Sequence, residues 1–164
     1  MKLQIASHLA IYALLELAAR PDHPVSVGEI GDKYKVSVFH LAKVMTVLGR
    51  AKLVHAARGV KGGYQFTGNA RRTTLLDVIQ LFEDLGTANL DAHAPGERTD
   101  EARALRDVLR EIDDLTQATF GSITIATMLK LIGRRRAGRP RRTSPGVTER
   151  HANSTPSGIA GGSR

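Results

Sequence analysis

The 164-residue sequence contains no cysteine and no tryptophan, and only 4% of its residues are aromatic. Without cysteine the chain forms no disulfide bond, and it offers no thiolate to a zinc ion or an iron–sulfur cluster. Because hydrophobic residues still make up 41% of the chain, the core must consist mainly of aliphatic side chains. These absences exclude disulfide-stabilised secreted domains and cysteine-ligated metalloproteins.

The sequence motifs of common enzymes and membrane proteins are also absent. It has no Gly-x-Ser-x-Gly motif and no Gly-Lys-Ser/Thr phosphate loop, and no two histidines stand in a His-x-x-x-His pair. No apolar run reaches the roughly 18 residues of a membrane span. The apolar first segment carries His8 and Glu16, which favours an amphipathic helix over a signal peptide. We expect a cytoplasmic protein that is not an enzyme, with no catalytic residues, no metal site and no cofactor.

Positive charge is concentrated at the two ends of the chain, whose net charge is +8. Residues 1–72 carry 11 Lys/Arg against 4 Asp/Glu, residues 73–132 carry 5 against 11, and residues 133–164 carry 8 against 1. A polyanion such as DNA would be attracted to both basic segments. Charge alone leaves an ordinary solvated surface as the alternative.

Hydrophobic periodicity predicts a mainly α fold with a small β-hairpin. In the first half, helices are predicted over 5–19 and 27–34, the latter opened by a Ser26-x-x-Glu29 capping pattern, followed by a third helix that begins at Ser37. Helical spacing predicts the inward faces of the first and third helices, which are Leu9, Ala10, Ala13, Leu14 and Leu17, and Leu41, Val44, Met45 and Leu48. Two strands, 53–57 and 64–67, flank a turn with three glycines. The second-half predictions are a helix from Thr74 to Leu85, a loop over 87–98, a long helix over Thr99–Ala118 and a short helix over Ile125–Ile132.

The composition changes abruptly at Gly133, after which Arg, Pro, Ser, Gly and Thr dominate. Such a segment buries too little apolar surface to offset its ordering entropy, so a disordered basic tail is predicted over 133–164. Within it, Arg139 lies in a Gly-Arg-Pro sequence that partly matches a minor-groove hook, with a generic basic arm as the alternative. The predicted organisation is a DNA-binding domain over 1–86, a loop and dimerisation helices over 87–132, and the tail.

Two short helices followed by a basic hairpin form a winged helix-turn-helix, a shape that suits B-DNA. The second of the two helices fits the major groove, and its first turn faces the base edges. An arginine on a narrow hairpin is suited to the minor groove. The predicted DNA-binding residues are Ser37, Phe39, His40 and Lys43 on the helix, Arg58, Gly59 and Lys61 in the hairpin turn, and Arg139 in the tail. Phe39 has a second interpretation as a core residue, and Ser37 as a helix N-cap.

Several of these motifs resemble the Rrf2 family of bacterial winged-helix regulators, which includes the iron–sulfur cluster regulator and the nitric-oxide-sensitive repressor. The matching features are the Met-Lys-Leu start, Ser37, the Leu53-Val54 strand and the hairpin motif Arg-Gly-Val-Lys-Gly-Gly-Tyr over 58–64. The resemblance extends over roughly residues 1–132.

The resemblance implies a homodimer whose long helices cross, and an apolar stripe supplies a physical reason for that contact. The predicted dimerisation residues are Leu105, Val108, Leu109, Ile112 and Leu115. Many family members hold a cluster through cysteines in the loop before this helix, and this chain has none there. Lys52 also departs from the family pattern, which often has Gly at that helix end, so we expect a different helix termination.

The leading functional hypothesis is therefore a dimeric, sequence-specific DNA-binding repressor without an iron–sulfur cluster, whose partners are double-stranded DNA and a second copy of itself. Two alternatives stay open. One is a sensor of a small molecule or partner protein, with a pocket between the first helix, the long helix and the loop over 88–99. The other is a winged-helix module used for protein assembly.

Overall fold

The computed structural model describes residues 3–57, 59, 62–85 and 98–138. Within them the chain is mainly helical and has one small antiparallel sheet. The elements are α1 (Ile5–Ala18), α2 (Val27–Tyr34), α3 (Val38–Arg50), β1 (Val54–Ala57), β2 (Gly63–Phe66), α4 (Leu75–Ile79), α5 (Asp100–Ser122) and α6 (Ile125–Ala137). No helix in these ranges has both the length and the apolar character needed to cross a bilayer.

Helix α1 is the centre of the core, and α3, α4, β2 and α6 all pack against it. The predicted inward stripe of this helix is confirmed, and Ile11 and Leu15 are buried as well. A helix that is apolar on most sides belongs inside a fold rather than on its surface. Helix α2 begins where the sequence predicts, because the Ser26 side chain accepts a hydrogen bond from the Glu29 backbone N–H.

Lysines in the left-handed conformation end both helices of the helix-turn-helix. Lys35 has φ 56° and Lys52 has φ 58°. After α2 the Val36 N–H donates to the Gly31 carbonyl at 3.0 Å, and after α3 the Leu53 N–H donates to the Leu48 carbonyl at 3.0 Å. Both bonds are typical of the termination that glycine usually provides. The expectation that Lys52 changes how α3 ends was therefore wrong.

The predicted hairpin is confirmed, with Val54 opposite Phe66 and Ala57 opposite Gly63. It is attached to the rest of the fold by a bridge between Val25 and Tyr64, whose two backbone bonds measure 2.9 and 2.8 Å. A Cβ atom at Gly63 would lie 2.6 Å from the Val25 carbonyl oxygen. Glycine at this position therefore allows the hairpin to approach the loop before α2.

Helix α4 is shorter than predicted. It begins with a reciprocal capping box between Thr74 and Asp77, as a cap at Thr74 predicts, but it ends at Ile79 rather than Leu85. The Phe82 N–H then bonds to the Ile79 carbonyl at 2.9 Å, a tighter turn than the α-helical one. The Glu83 carboxylate, just beyond, accepts hydrogen bonds from the first turn of α1. Gly86, which follows the predicted end of this helix at Leu85, lies outside the described residues.

The two C-terminal helices are both longer than predicted. Thr99 caps α5 through a bond from the Ala102 N–H, and this helix continues to Ser122 instead of Ala118. Helix α6 passes through Gly133 and ends at Ala137, so the prediction of disorder was wrong for 133–137. Three arginines in its last turn favour this extension, because cations stabilise the negative end of a helix dipole. The rest of the predicted tail, with Arg139, lies outside the described residues.

Candidate nucleic-acid interface

Helix α3 separates its residues into an inward and an outward face. The predicted core positions Leu41, Val44, Met45 and Leu48 are all buried. The predicted DNA-binding residues Ser37, Phe39, His40 and Lys43 are all exposed. Phe39 is 66% exposed, which decides against its interpretation as a core residue. With Val38, which is 50% exposed, it forms an apolar part of the exposed surface at the start of α3.

The side chains at the start of α3 form a compact group. The Lys43 ammonium lies over the Phe39 ring, 4.5 Å from its centroid. The His40 ring is tilted by 56° against the same phenyl ring, with centroids 6.1 Å apart. The group therefore presents an apolar ring, a hydrogen-bonding imidazole and a cation together. These are side chains that contact thymine methyl groups, base edges and phosphates respectively.

The start of α3 is fixed by close packing against α2. A Cβ atom at Gly31 would lie 3.1 Å from the Val38 Cγ2 atom and 3.2 Å from the Val36 carbonyl oxygen. Ser37 occupies the N-cap position, as predicted, but its side chain makes no capping hydrogen bond. Its exposed hydroxyl is therefore not engaged in capping and can donate to an external acceptor.

Of the three predicted DNA-binding residues in the hairpin turn, the structure describes Gly59. Gly59 has φ 130°, a conformation that side-chain-bearing residues rarely adopt, and nothing lies within 4 Å of the Cβ it lacks. The Gly62 N–H closes the turn by donating to the Gly59 carbonyl at 2.9 Å. Arg58 and Lys61, the other two predicted residues, lie outside the described residues. Arg58 directly precedes this open glycine in the sequence, and Lys61 follows it by two positions.

Sequence reasoning missed two features of this region. Lys35 is exposed in the turn between α2 and α3, directly before the predicted contact residues, and its left-handed backbone gave no sequence signal. The other feature is the buried Glu16 carboxylate of α1, which pairs with Arg20 and with Lys33 of α2. The Tyr34 hydroxyl donates to the same carboxylate at 3.3 Å. A single acid in an apolar helix was the only sequence hint of this network.

This network fixes the orientation of α2 against α1. Burial alone raises the pKa of Glu16, but the hydrogen bonds and charges of Lys33 and Arg20 outweigh it, and the pKa lies below its ordinary value. The carboxylate therefore remains charged at neutral pH. It thus holds the first helix of the helix-turn-helix against the core.

Helix α5 carries an apolar stripe that has no cover within the described chain. Leu105, Val108, Ile112 and Leu115 are between 52% and 62% exposed. Leu109, the fifth predicted dimerisation residue, is half-buried. Beside the stripe lies a groove of about 280 Å³ lined by Ile112, Leu115, Thr116, Thr119 and Phe120. No residue of α5 is buried, although the helix has 23 residues.

Similarity to known proteins identifies the family. A family model described as an iron-dependent transcriptional regulator, Rrf2, matches residues 3–131. The chain belongs to the Rrf2 family. The resemblance drawn from the hairpin motif and from Ser37 is thereby confirmed.

Relatives in the Rrf2 group carry regulatory names. The HTH-type transcriptional regulator BadM of Rhodopseudomonas palustris is 46% identical over 153 residues, which cover 93% of this chain and 96% of that protein. The HTH-type transcriptional regulator slr0846 of Synechocystis is 38% identical over 85 residues, or 51% of this chain and 58% of that one. The protein is a transcriptional regulator of the Rrf2 family.

Solved structures show the same winged-helix fold. CymR of B. subtilis, titled the global cysteine regulator, superposes with a TM-score of 0.69 at 22% identity, covering 80% of this chain and 98% of CymR. IscR of T. potens gives a TM-score of 0.66 at 24% identity, covering 89% and 94%. At these identities the likeness establishes the fold, which confirms the predicted mainly α winged-helix class.

The iron named in the Rrf2 family description does not fit the donor set of this chain. A cluster of the thiolate-held kind needs cysteine, and the sequence has none. In the described ranges no three His, Asp or Glu side chains come together as a metal site. His93, Asp91 and Glu97, in the loop before α5, lie outside those ranges.

Proposed function

We propose that the protein is a homodimeric, sequence-specific DNA-binding repressor that works in the cytoplasm on the chromosome. The observation that carries this proposal is the exposed group of Phe39, His40 and Lys43 at the start of α3. Helix α3 would enter the major groove, with Ser37 donating to a phosphate or base. Arg58, Gly59 and Lys61 would place the hairpin turn at the adjacent minor groove. Arg139 would extend the basic contact from the tail.

The stripe on α5 supports the dimer. Complete burial of one large aliphatic side chain contributes about 1.5–3 kcal/mol of free energy. A dimer contact that covers the four exposed side chains of the stripe on each of the two copies therefore has a large driving force. A two-fold pairing through α5 uses the same stripe on both copies. Such a dimer would present two α3 helices to half-sites about one helical turn apart.

Selection of bound sequences from a random DNA pool, with the purified full-length chain, tests the proposal. The expected result is a palindrome with A·T-rich flanks, since two identical half-sites are contacted and an arginine enters the minor groove. DNA binding without sequence preference at physiological salt would instead favour the assembly module.

Single variants then separate base contacts from phosphate contacts. Lys43→Gln should weaken binding to all sequences and lower the slope of log affinity against log salt by about one. His40→Ala should weaken the selected site by about 1–3 kcal/mol and leave non-specific DNA little changed. Lys130→Gln removes the charge of an exposed lysine on α6 and is the matched control for the loss of one positive charge. Equal effects of Lys43→Gln and Lys130→Gln would contradict the assignment of α3.

Arg58→Ala tests the hairpin separately, with Arg98→Ala, an exposed arginine directly before Thr99 and α5, as its control. The loss of affinity should be larger for operators with A·T flanks than for operators with G·C flanks. Repression itself is tested by transcription in vitro from a promoter that overlaps the selected palindrome. Added protein should reduce the transcript, and an increase would make the protein an activator.

A further inference from the structure

A second surface feature adjoins the DNA-binding group. An almost wholly apolar cavity of about 370 Å³ lies between α1, α3 and the turn after α4. Its walls come from Ile5, Ala6, Leu9, Val44, Val47 and Phe82, and it is also lined by His40 and Lys43. Leu9 and Val44 are each 4% exposed and form the floor, whereas Ile5, at 77% exposure, lies at the mouth with the exposed His40 and Lys43.

Two hydrogen bonds beside the cavity join the segment after α4 to the start of α1. The Glu83 carboxylate accepts a bond from the Gln4 backbone N–H at 3.0 Å and a short bond from the buried Ser7 hydroxyl. These bonds fix the turn that carries Phe82 to the first turn of α1. The volume lies within the roughly 300–1,000 Å³ of small-molecule sites, which are usually pre-formed and mainly apolar with a few polar groups.

The mouth of the cavity favours a negative charge. The contact that the structure shows for the Lys43 ammonium is the face of the Phe39 ring, at 4.5 Å from the centroid. An aromatic face stabilises a cation by about 0.5–1 kcal/mol at an exposed site, less than a charge-assisted hydrogen bond to a carboxylate contributes. Glu83, the acid beside Phe82, is already engaged with Gln4 and Ser7.

We propose that this cavity binds a small amphipathic anion whose apolar body lies between α1 and α3 and whose carboxylate meets Lys43 and His40. The bound anion opposes DNA binding, because it occupies the two residues assigned to DNA. This second part rests on the proposed function. By linkage, DNA must weaken binding of the anion by the same factor as the anion weakens binding of DNA.

Octanoate is the probe for this site, and 1-octanol, which has the same chain length but no charge, is the control ligand. Calorimetric titration of the full-length protein should show that octanoate binds at least fivefold more tightly than octanol. Lys43→Gln should reduce octanoate affinity to that of octanol. Ala6→Leu fills the cavity and should abolish octanoate binding, whereas Ala118→Leu, an equal enlargement at an exposed position of α5, should leave it unchanged.

The effect on DNA is measured with the selected operator. Saturating octanoate should lower the affinity of the natural protein for DNA at least tenfold and its salt slope by about one. Ala6→Leu should bind the operator like the natural protein but ignore octanoate. Val47→Phe fills the same cavity from α3 and should also block octanoate, so the test does not depend on one variant folding.

Three results would overturn the inference. They are equal affinity for octanoate and octanol, octanoate binding that survives both cavity-filling variants, and a changed monomer–dimer equilibrium for Ala6→Leu in the ultracentrifuge. The last would show that a second copy of the chain covers the cavity. Failure of the natural protein to bind any operator would overturn the proposed function instead, and the calorimetry would still decide whether the cavity binds an anion.

Discussion

Replacing Glu16 by glutamine should loosen the contact between α1 and α2 and remove part of the stability of the protein. The Glu16 side chain is 7% exposed and accepts from Arg20, Lys33 and Tyr34. Breaking a fully buried ion pair costs about 3–5 kcal/mol, mainly because a charge is left unpaired. Here the partners Arg20 and Lys33 are 42% and 41% exposed, so water can solvate them after the change. We therefore expect Glu16→Gln to lower the free energy of unfolding by about 1–2 kcal/mol.

The contribution of Glu16 to the stability of the protein should also depend on pH. The pKa of Glu16 is lowered in the folded protein from an ordinary value near 4.5. The unfolded chain therefore binds the proton more readily, and the contribution of Glu16 to stability is fully present above about pH 4.5. It is lost as the pH falls from there through the lowered folded pKa. Between pH 7 and pH 3 the natural protein should lose more stability than Glu16→Gln, which cannot titrate at this position.

Urea unfolding at pH 7 and at several values down to pH 3, at one protein concentration, measures both effects. Asp107→Asn is the control, because it removes an exposed pair with Arg110 at 3.0 Å in which Asp107 is 71% exposed. Such a pair contributes about 0–0.5 kcal/mol. The reasoning is refuted if Glu16→Gln loses no more than Asp107→Asn, or if its stability falls as steeply below pH 4.5 as that of the natural protein.

Further predictions address the backbone, the dimer and the tail. Lys52→Gly should raise the free energy of unfolding by about 0.5–1 kcal/mol in urea titrations, because φ 58° strains a lysine but not a glycine; a loss of stability would contradict this. Gly63→Ala should cost about 1–3 kcal/mol, since its Cβ would lie 2.6 Å from a backbone oxygen; an unchanged thermal midpoint would argue against the tight approach. Ile112→Asp should raise the dimer dissociation constant more than tenfold in sedimentation, with Ala118→Asp as control, and equal effects would exclude the stripe. Removal of residues 139–164 should lower the salt slope of DNA binding, and an unchanged slope and affinity would exclude the tail from the contact.

Periodicity and capping patterns predicted most of the fold, because they are encoded locally. The outward and inward faces of α3 follow from helical spacing alone, and Ser26 and Thr74 begin their helices as their side chains predict. Strand β1 begins one residue later than predicted and ends where predicted, and β2 begins and ends one residue earlier than predicted. These features depend on neighbours in the sequence, which single-chain reasoning can evaluate.

The features that were missed depend on contacts between distant residues. Helix α4 ends at Ile79 where the chain turns to bring Glu83 to the first turn of α1, 79 positions away from Gln4. No local pattern announces this contact. Helix α6 continues past Gly133 although glycine is a weak helix former, with arginines in the last turn. Composition alone assigned those arginines to the tail.

The candidate site was predicted in part for the same reason. Ser37, Phe39, His40 and Lys43 follow from the exposed face of one helix, and the structure brings the last three together. The pocket predicted beside the loop over 88–99 concerns residues outside the described ranges. The apolar cavity beside α3 is a separate feature, which Phe82, Ile5 and Val47 line together between α1 and α3.

The lack of cysteine and the position of this cavity bear on the same question. A regulator without thiolates cannot change its DNA affinity by gaining or losing a thiolate-held cluster, so any response must come from another equilibrium that involves α3. The anion site proposed here would satisfy that requirement, because Lys43 both lines the mouth of the cavity and belongs to the outward group beside Phe39. Coupling then needs no relay through the core, which Glu16 and Glu83 keep fixed at the two ends of α1. Competition between the anion and DNA for the Lys43 ammonium would be sufficient to couple the two binding events.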